Sequence, residues 1–278
     1  MSKPEALAFQ IYKSLISKKD GITIPIDLQA PSLVGTVQDD PFDNYIKEIL
    51  TESMPNVEVV GSGKLTTPDV VIRDRSSNTI IGLEIKKLIQ KPNGADSRGL
   101  TMDYNSSLPC GTTSIKVGKS VVDIPCFYLF ALLATDSTSI NTLILLDGDF
   151  LNNDFELHKA SKLANESEYL HGPYQEGSVR HRAMYTYPNP LNYKISVFHR
   201  RMIFVAKTAE AETLNVSDHI SDLILRKDKN GNNFSYSVVD LLKRSETQPN
   251  TIVGIFDDCK NRTKRERTSS SMPYINEL

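Results

Sequence analysis

Asp69, Glu84 and Lys86 are the reactive constellation of this sequence. Asp69 follows Pro68, and after fourteen intervening residues comes Glu84-Ile85-Lys86. Two short β-branched runs, Asp69-Val70-Val71-Ile72-Arg73 and Thr79-Ile80-Ile81-Gly82-Leu83-Glu84-Ile85-Lys86, flank the polar stretch Asp74-Arg75-Ser76-Ser77-Asn78, the pattern of an antiparallel hairpin. With Ser76 and Ser77 at the turn, paired positions sum to 153, so Asp69 faces Glu84. Strand side chains alternate with a period of two, which puts Glu84 and Lys86 on one face with Asp69 and turns Ile85 into the core. Opposed acids on adjacent strands repel. Lys86 is a partial remedy, and a divalent cation held by carboxylate oxygens is the natural occupant. The plainer alternative is a solvent-edge hairpin in which Lys86 merely bridges two acids. Against it, Glu84 sits inside the apolar run Ile80 to Ile85, where an unpaired charge is costly.

The surrounding pattern is α/β. Leu7, Ile11, Leu15 and Ile16 recur at helical spacing after Pro4, and Asp39-Asp40-Pro41 offers an N-cap for a second helix over about 41–54, with Phe42, Tyr45, Ile46, Ile49 and Leu50 on one face. That helix carries Asp43 and Glu48, either of which could bring a further acid to the hairpin. Val57 to Val60 reads as a strand before the hairpin. Gln90 to Leu108 reads as a long polar loop, and Phe127 to Ala134 and Thr142 to Leu146 as buried strands around a turn at Asp136 to Ser139. Further on, Asn153 to Ala164 looks helical and Tyr169 to Asn192 looks like loop. Lys194 to Phe198 and Met202 to Ala206 suggest a hairpin through His199-Arg200-Arg201. Thr213 to Arg226 and Tyr236 to Lys243 have helical periodicity, Thr251 to Phe256 suggests a strand, and Lys260 to Arg267 is basic. No repeat or linker divides the chain.

Composition excludes several classes. With 278 residues, 39% of them hydrophobic, the chain can bury a full core, and a net charge of -2 means that any nucleic-acid surface must be local. Cys110, Cys126 and Cys259 lie too far apart for a zinc site or disulfide framework, which fits a reducing, intracellular setting. The longest apolar stretch, Ile124 to Ala134, is about half of the ~20 residues a membrane helix needs, and no apolar signal region follows Met1, so a cytoplasmic protein without membrane contact is expected. Gly61-Ser62-Gly63-Lys64 is not a P-loop, because Glu58 and Leu65 stand where Gly and Ser or Thr are required. The five histidines show no ligand spacing.

Pro68-Asp69, then Glu84-Ile85-Lys86, behind an acidic helix, resembles the core of the PD-(D/E)XK nuclease superfamily. A chain of this size within it is similar to a type II restriction endonuclease. Asp103-Tyr104-Asn105-Ser106-Ser107-Leu108-Pro109-Cys110-Gly111 and Tyr187-Pro188-Asn189-Pro190-Leu191-Asn192 are similar to segments of some restriction enzymes. The resemblance implies a restriction-endonuclease-like core with a central mixed β-sheet flanked by helices. It also implies a single domain over 1–278, with the core at about 38–165 and a C-terminal elaboration at about 166–278. It makes Asp69, Glu84 and Lys86 catalytic. Asp69 and Glu84 would bind Mg2+ with help from Asp43 or Glu48, and Lys86 would orient or deprotonate the attacking water. A hard cation lowers the pKa of its water and neutralises charge on the phosphate.

The implied function is Mg2+-dependent, site-specific hydrolysis of double-stranded DNA leaving 5'-phosphates. A homodimer would cut a palindromic site, in a prokaryotic cytoplasm whose DNA a cognate methyltransferase protects. Lys87, Lys91, Arg98, Lys116 and Lys119 are candidates for phosphate contacts, and Asn105, Ser106, Thr112 and Thr113 for phosphates or base edges. Arg180 and Arg182 beside His181, and the His199-Arg200-Arg201 cluster, form a second candidate surface. The alternatives are a repair or structure-specific nuclease with the same core, and a non-catalytic DNA-binding module.

Overall fold

Pro4 opens α1 (Pro4–Ile16) and Pro41 opens α2 (Pro41–Ser53), at positions where a missing N–H leaves no hydrogen bond unmade. Asp40 caps α2 by accepting the Phe42 N–H at 2.8 Å. The computed structural model describes residues 3–28, 33–34, 37–38, 40–61, 68–92, 102–103, 112–152, 182–183, 201–227, 233–244, 248–255 and 274–275.

The strands through the first half are β1 (Ile24–Pro25), β2 (Leu33–Val34), β3 (Val37–Gln38), β4 (Val57–Gly61), β5 (Val70–Asp74), β6 (Thr79–Ile89), β7 (Met102–Asp103), β8 (Thr112–Val117), β9 (Ser120–Leu133) and β10 (Ser139–Asp147). After the short helix α3 (Gly148–Asn152) come β11 (Arg182–Ala183), β12 (Met202–Lys207), the short helix α4 (Thr208–Ala211), β13 (Ile220–Lys227), β14 (Asn233–Val239), β15 (Asn250–Ile255) and β16 (Tyr274–Ile275).

Twelve of these strands form one mixed sheet, ordered β15-β13-β14-β12-β10-β9-β6-β5-β4, with β1 added on β10, β8 on β9 and β16 on β8. The β6–β9, β10–β12, β13–β15 and β8–β16 pairs are parallel and the other pairs of this sheet antiparallel. The described residues are therefore α/β, with a large mixed sheet and few helices. The C-terminal strands β12 to β15 continue the same sheet beyond β10.

Alternation along β6 and β9 separates two cores. Leu83, Ile85, Phe127 and Leu129 face α1 and α2 with Leu7, Ile11, Phe42 and Ile46. Leu88, Tyr128, Phe130 and Leu146 face the other way, with Phe150 of α3 and Tyr236. A third cluster joins Val71 to Ile115, Ile124 and Ile275, so β8, the start of β9 and β16 cover part of this second face.

Two helical readings of the sequence are corrected. Thr213 to Arg226 forms short 3-10 turns at Glu212–Leu214 and Ser217–His219 and then β13, and Tyr236 to Lys243 begins inside β14. Tyr236, Ser237, Val238 and Val239 are all buried, so no alternation marks that strand, and a short continuous apolar run has the same signature in a helix. Arg201 is corrected as well. Read from the sequence as part of a candidate nucleic-acid surface, it stands just before β12 with its guanidinium largely buried, donating to Asp222 Oδ2 at 2.9 Å, Ser221 Oγ at 2.7 Å and Asp240 Oδ2 at 3.1 Å. The Asn153 to Ala164, Lys194 to Phe198 and Lys260 to Arg267 readings lie outside the described residues, as does Tyr169 to Asn192 apart from β11.

Gly82, in mid-strand, seats the residue that precedes Asp69. A Cβ at this position would stand 2.8 Å from Pro68 Cγ and 2.5 Å from Cys126 Sγ, so only glycine lets the proline ring lie down on β6 beside the buried thiol. Gly82→Ala is expected to cost about 1–3 kcal/mol through overpacking. Urea denaturation checks this, and an unchanged midpoint would show that Pro68 gives way freely.

Candidate active site

The β5–β6 ladder pairs Val70 with Leu83, Val71 with Gly82, Ile72 with Ile81, Arg73 with Ile80 and Asp74 with Thr79, so every pair sums to 153. The turn over 75–78 is built to hold that register. Asn78 takes a left-handed φ of 55° and accepts from Arg73 Nε at 2.9 Å, while Asp74 Oδ1 accepts the Ser76 N–H at 3.0 Å.

Asp69 stands one residue beyond the last pair. Its Oδ2 accepts the Ile85 N–H at 2.7 Å, so a side-chain carboxylate takes a strand amide at the ladder's end. Lys86 Nζ lies 3.8 Å from the same Oδ2 and is ion-paired with Glu84 Oε1. The other oxygen, Glu84 Oε2, is buried and has no hydrogen-bond partner among the described residues. An orphaned carboxylate oxygen is expensive, because a buried acceptor loses its water without replacement.

The beginning of α2 supplies a third acid. Burial, followed by the neighbouring carboxylates of Asp69 and Asp40, pushes Asp43 up to about 7, against the opposing charges of Lys47 and Lys87. Glu84 is likewise held above the ordinary carboxylate range by burial, which outweighs the Lys86 ammonium. Burial disfavours charge on Lys86, but Glu84, Asp69 and Asp43 overcome it and keep the lysine a cation well above its usual range. Glu48, the other acid considered on this helix, is exposed. Five residues from Asp43, it lies about 140° around the helix axis. The site therefore brings together Asp69, Glu84, Lys86 and Asp43, and Glu48 is not part of it.

This donor set suits a hard cation, since all three acids offer carboxylate oxygen and one of those oxygens is buried without a partner. Among the described residues no three His, Cys, Asp or Glu side chains converge, as placed, into a group that could hold a metal ion. A three-carboxylate site therefore calls for closer approach of these side chains than they show here. A second acid, acid and lysine group shows the contrast. At the ends of β10 and β12, Asp147 Oδ1 accepts the Asp149 N–H at 2.8 Å, and Lys207 Nζ lies 2.7 Å from Asp149 Oδ2 and 3.7 Å from Asp147 Oδ2; burial pushes Asp147 up to about 6, but neither acid leaves a buried oxygen without a partner.

No family model, curated protein or solved structure matched the chain.

The candidate DNA contacts are less uniform. Lys87, read from the sequence as a phosphate contact, is turned to the α2 side, away from Glu84 and Lys86, ion-paired with Asp40 and 5.9 Å from the Phe42 ring centroid. Thr113 is corrected, because it is fully buried between β9 and the third core cluster. Thr112 and Lys116 are partly exposed on β8, Lys119 is exposed at the turn into β9, and Lys91 is exposed just after β6. Because Val71 pairs with Gly82, the β8–β9 ribbon packs on the face that carries Glu84 and Lys86. Arg182 belongs to β11 and pairs with Asp103, while Arg98, Asn105, Ser106 and Arg180 lie outside the described residues.

Sequence reasoning did not single out Gly82 or the Lys87–Asp40 pair. A glycine inside an otherwise β-branched strand was a usable signal for a close approach, whereas nothing in the sequence connects residues 40 and 87.

The raised Asp43 pKa has a sign that can be checked. An acid whose folded pKa exceeds its unfolded value lends stability at low pH and loses it as pH rises from about 4 to about 7. In a chelator-containing buffer at pH 8, Asp43→Asn is expected to raise the melting temperature by about 2–4 °C. The gain should vanish near pH 4, where Asp43 is already neutral. Calorimetric melts at the two pH values check it, and an equal effect at both would place the cause elsewhere.

Proposed function

We propose that the chain is a Mg2+-dependent endonuclease that hydrolyses phosphodiester bonds in double-stranded DNA, a PD-(D/E)XK-type enzyme and, within that class, a site-specific type II restriction endonuclease. One observation carries this reading. The register of β5 against β6 brings Asp69, Glu84 and Lys86 together at a strand end, beside Asp43, and leaves a buried Glu84 oxygen unmatched.

Asp69 and Glu84, with Asp43, would hold the cation. Bound there, Mg2+ supplies charge neutralisation at the phosphate and a water of lowered pKa. The chain's own groups do the rest. Ile85 N–H fixes one Asp69 oxygen, so the carboxylate presents its second oxygen in a defined direction. Lys86, held as an ammonium by its two acid neighbours, donates to an attacking water or to a non-bridging phosphate oxygen and so aligns the nucleophile. Lys116 and Lys119, on the ribbon that packs on this face, would receive the DNA backbone.

On this reading a palindromic site calls for a homodimer, the products carry 5'-phosphates, and a methyltransferase protects the host DNA of a prokaryotic cytoplasm. None of the helices among the described residues is long and apolar enough to cross a membrane. The closest rival is a non-catalytic DNA-binding module, favoured by the way Lys86 already bridges both acids and Asp69 already closes the ladder.

Unmethylated phage DNA distinguishes the two. Discrete, Mg2+-dependent fragments are expected, lost in EDTA and reduced about 10²-fold or more in Asp69→Ala, Glu84→Gln and Lys86→Met. DNA binding without cutting in any divalent metal would favour the binding module, and cutting dictated by DNA structure without a defined ladder would favour a repair-type nuclease.

A further inference from the structure

Lys87 alternates with Lys86 on β6, so it leaves the sheet on the opposite side, toward α2. There its Nζ pairs with Asp40 Oδ1, the same oxygen that accepts the Phe42 N–H at 2.8 Å, and it lies 5.9 Å from the Phe42 ring centroid. Phe42 is fully buried and its ring stacks at 6.3 Å on Tyr45. Three constraints thus converge on the segment 40–42, and the next residue is Asp43.

We infer that Lys87 and Asp40 form a clasp that positions Asp43 to complete the cation site, with Lys87 acting as a positioning residue of α2 and not as a contact to nucleic acid. The inference rests on the proposed metal site. Its geometry is economical: one strand sends adjacent side chains to both faces, Lys86 into the acid cluster and Lys87 to the start of the helix that supplies the extra acid. Only a quarter of the Lys87 side chain is exposed, and its charge is matched by Asp40. Asp40 and Asp43 lie three residues apart, the N-cap and the first turn of α2, so what fixes Asp40 and Phe42 fixes the backbone that carries Asp43.

The clasp and simple electrostatics predict opposite signs. Removing a nearby positive charge should tighten cation binding if Lys87 acts through charge alone, and weaken it if Lys87 holds Asp43 in place. Mn2+ binding to the full chain without DNA, followed by the loss of the free-ion electron paramagnetic resonance signal, reads this directly. Lys87→Met is expected to weaken Mn2+ binding about tenfold or more, Lys87→Arg to restore most of it, and Lys87→Met in an Asp43→Asn background to add no further loss. Asp40→Glu keeps the charge but moves the carboxylate one methylene away from α2. It should also weaken Mn2+, and it keeps the test decisive if Lys87→Met does not melt cooperatively. Wild-type affinity or tighter in Lys87→Met, or in Asp40→Glu where that variant must decide, overturns the clasp alone. A wild-type chain that binds no Mn2+ overturns the metal site and the clasp with it.

Discussion

A slip of one residue between β5 and β6 would turn Glu84 and Lys86 against α1 and α2 and send Ile85 to the opposite face. Everything about the candidate site hangs on that register, and several contacts hold it. Asn78 accepts from Arg73 across the turn, Asp74 gathers Ser76 and Ser77, and Pro68 lies in the gap left by Gly82. At the far end Asp69 binds the Ile85 amide, so a residue with a place in the proposed chemistry also terminates the ladder. The hydrophobic pattern adds a further bias, because Leu83 and Ile85 are buried against α1 and α2 and a slip would put Glu84 and Lys86 in their place.

The acid cluster is an energetic liability that the fold tolerates. Glu84 is almost fully buried, one of its oxygens lacks a partner among the described residues, and Asp43 and Asp69 repel each other. A chain shaped for stability alone would place apolar residues here, since replacing buried ion pairs by well-packed apolar groups is often neutral or stabilising. Asp147, Asp149 and Lys207 show that the same residue types can be arranged without leaving a buried oxygen orphaned. Perturbed carboxylates gathered at one strand end are the arrangement that functional sites favour.

Much of this was legible from local pattern, and what was not has identifiable causes. The polar turn at Asp74 to Asn78 and the alternation on either side specified the hairpin down to its register. The α2 N-cap was legible because Asp40-Pro41 is a local signal. β14 was misread as helical because a strand buried on consecutive residues loses its period, whereas β13 alternates in burial and was masked by the 3-10 turns that precede it. The choice between Asp43 and Glu48 needed the helix's rotation about its axis, which depends on how Phe42 and Ile46 pack. The partners of Lys87 and Arg201 lie 47 and 20 to 39 residues away, and no local rule connects them. Thr113 looked available because its polar character says nothing about being covered by β9.

Anomalous diffraction from crystals grown with duplex DNA and Mn2+ tests most directly whether Asp69 and Glu84 ligate a cation. The expected result is a peak about 2.1 Å from carboxylate oxygens of both residues, with Lys86 displaced from Glu84 toward the phosphate or its attacking water. A cluster without a peak, Lys86 still bridging Asp69 and Glu84 while DNA is bound elsewhere, would contradict it and leave these residues a structural ion network.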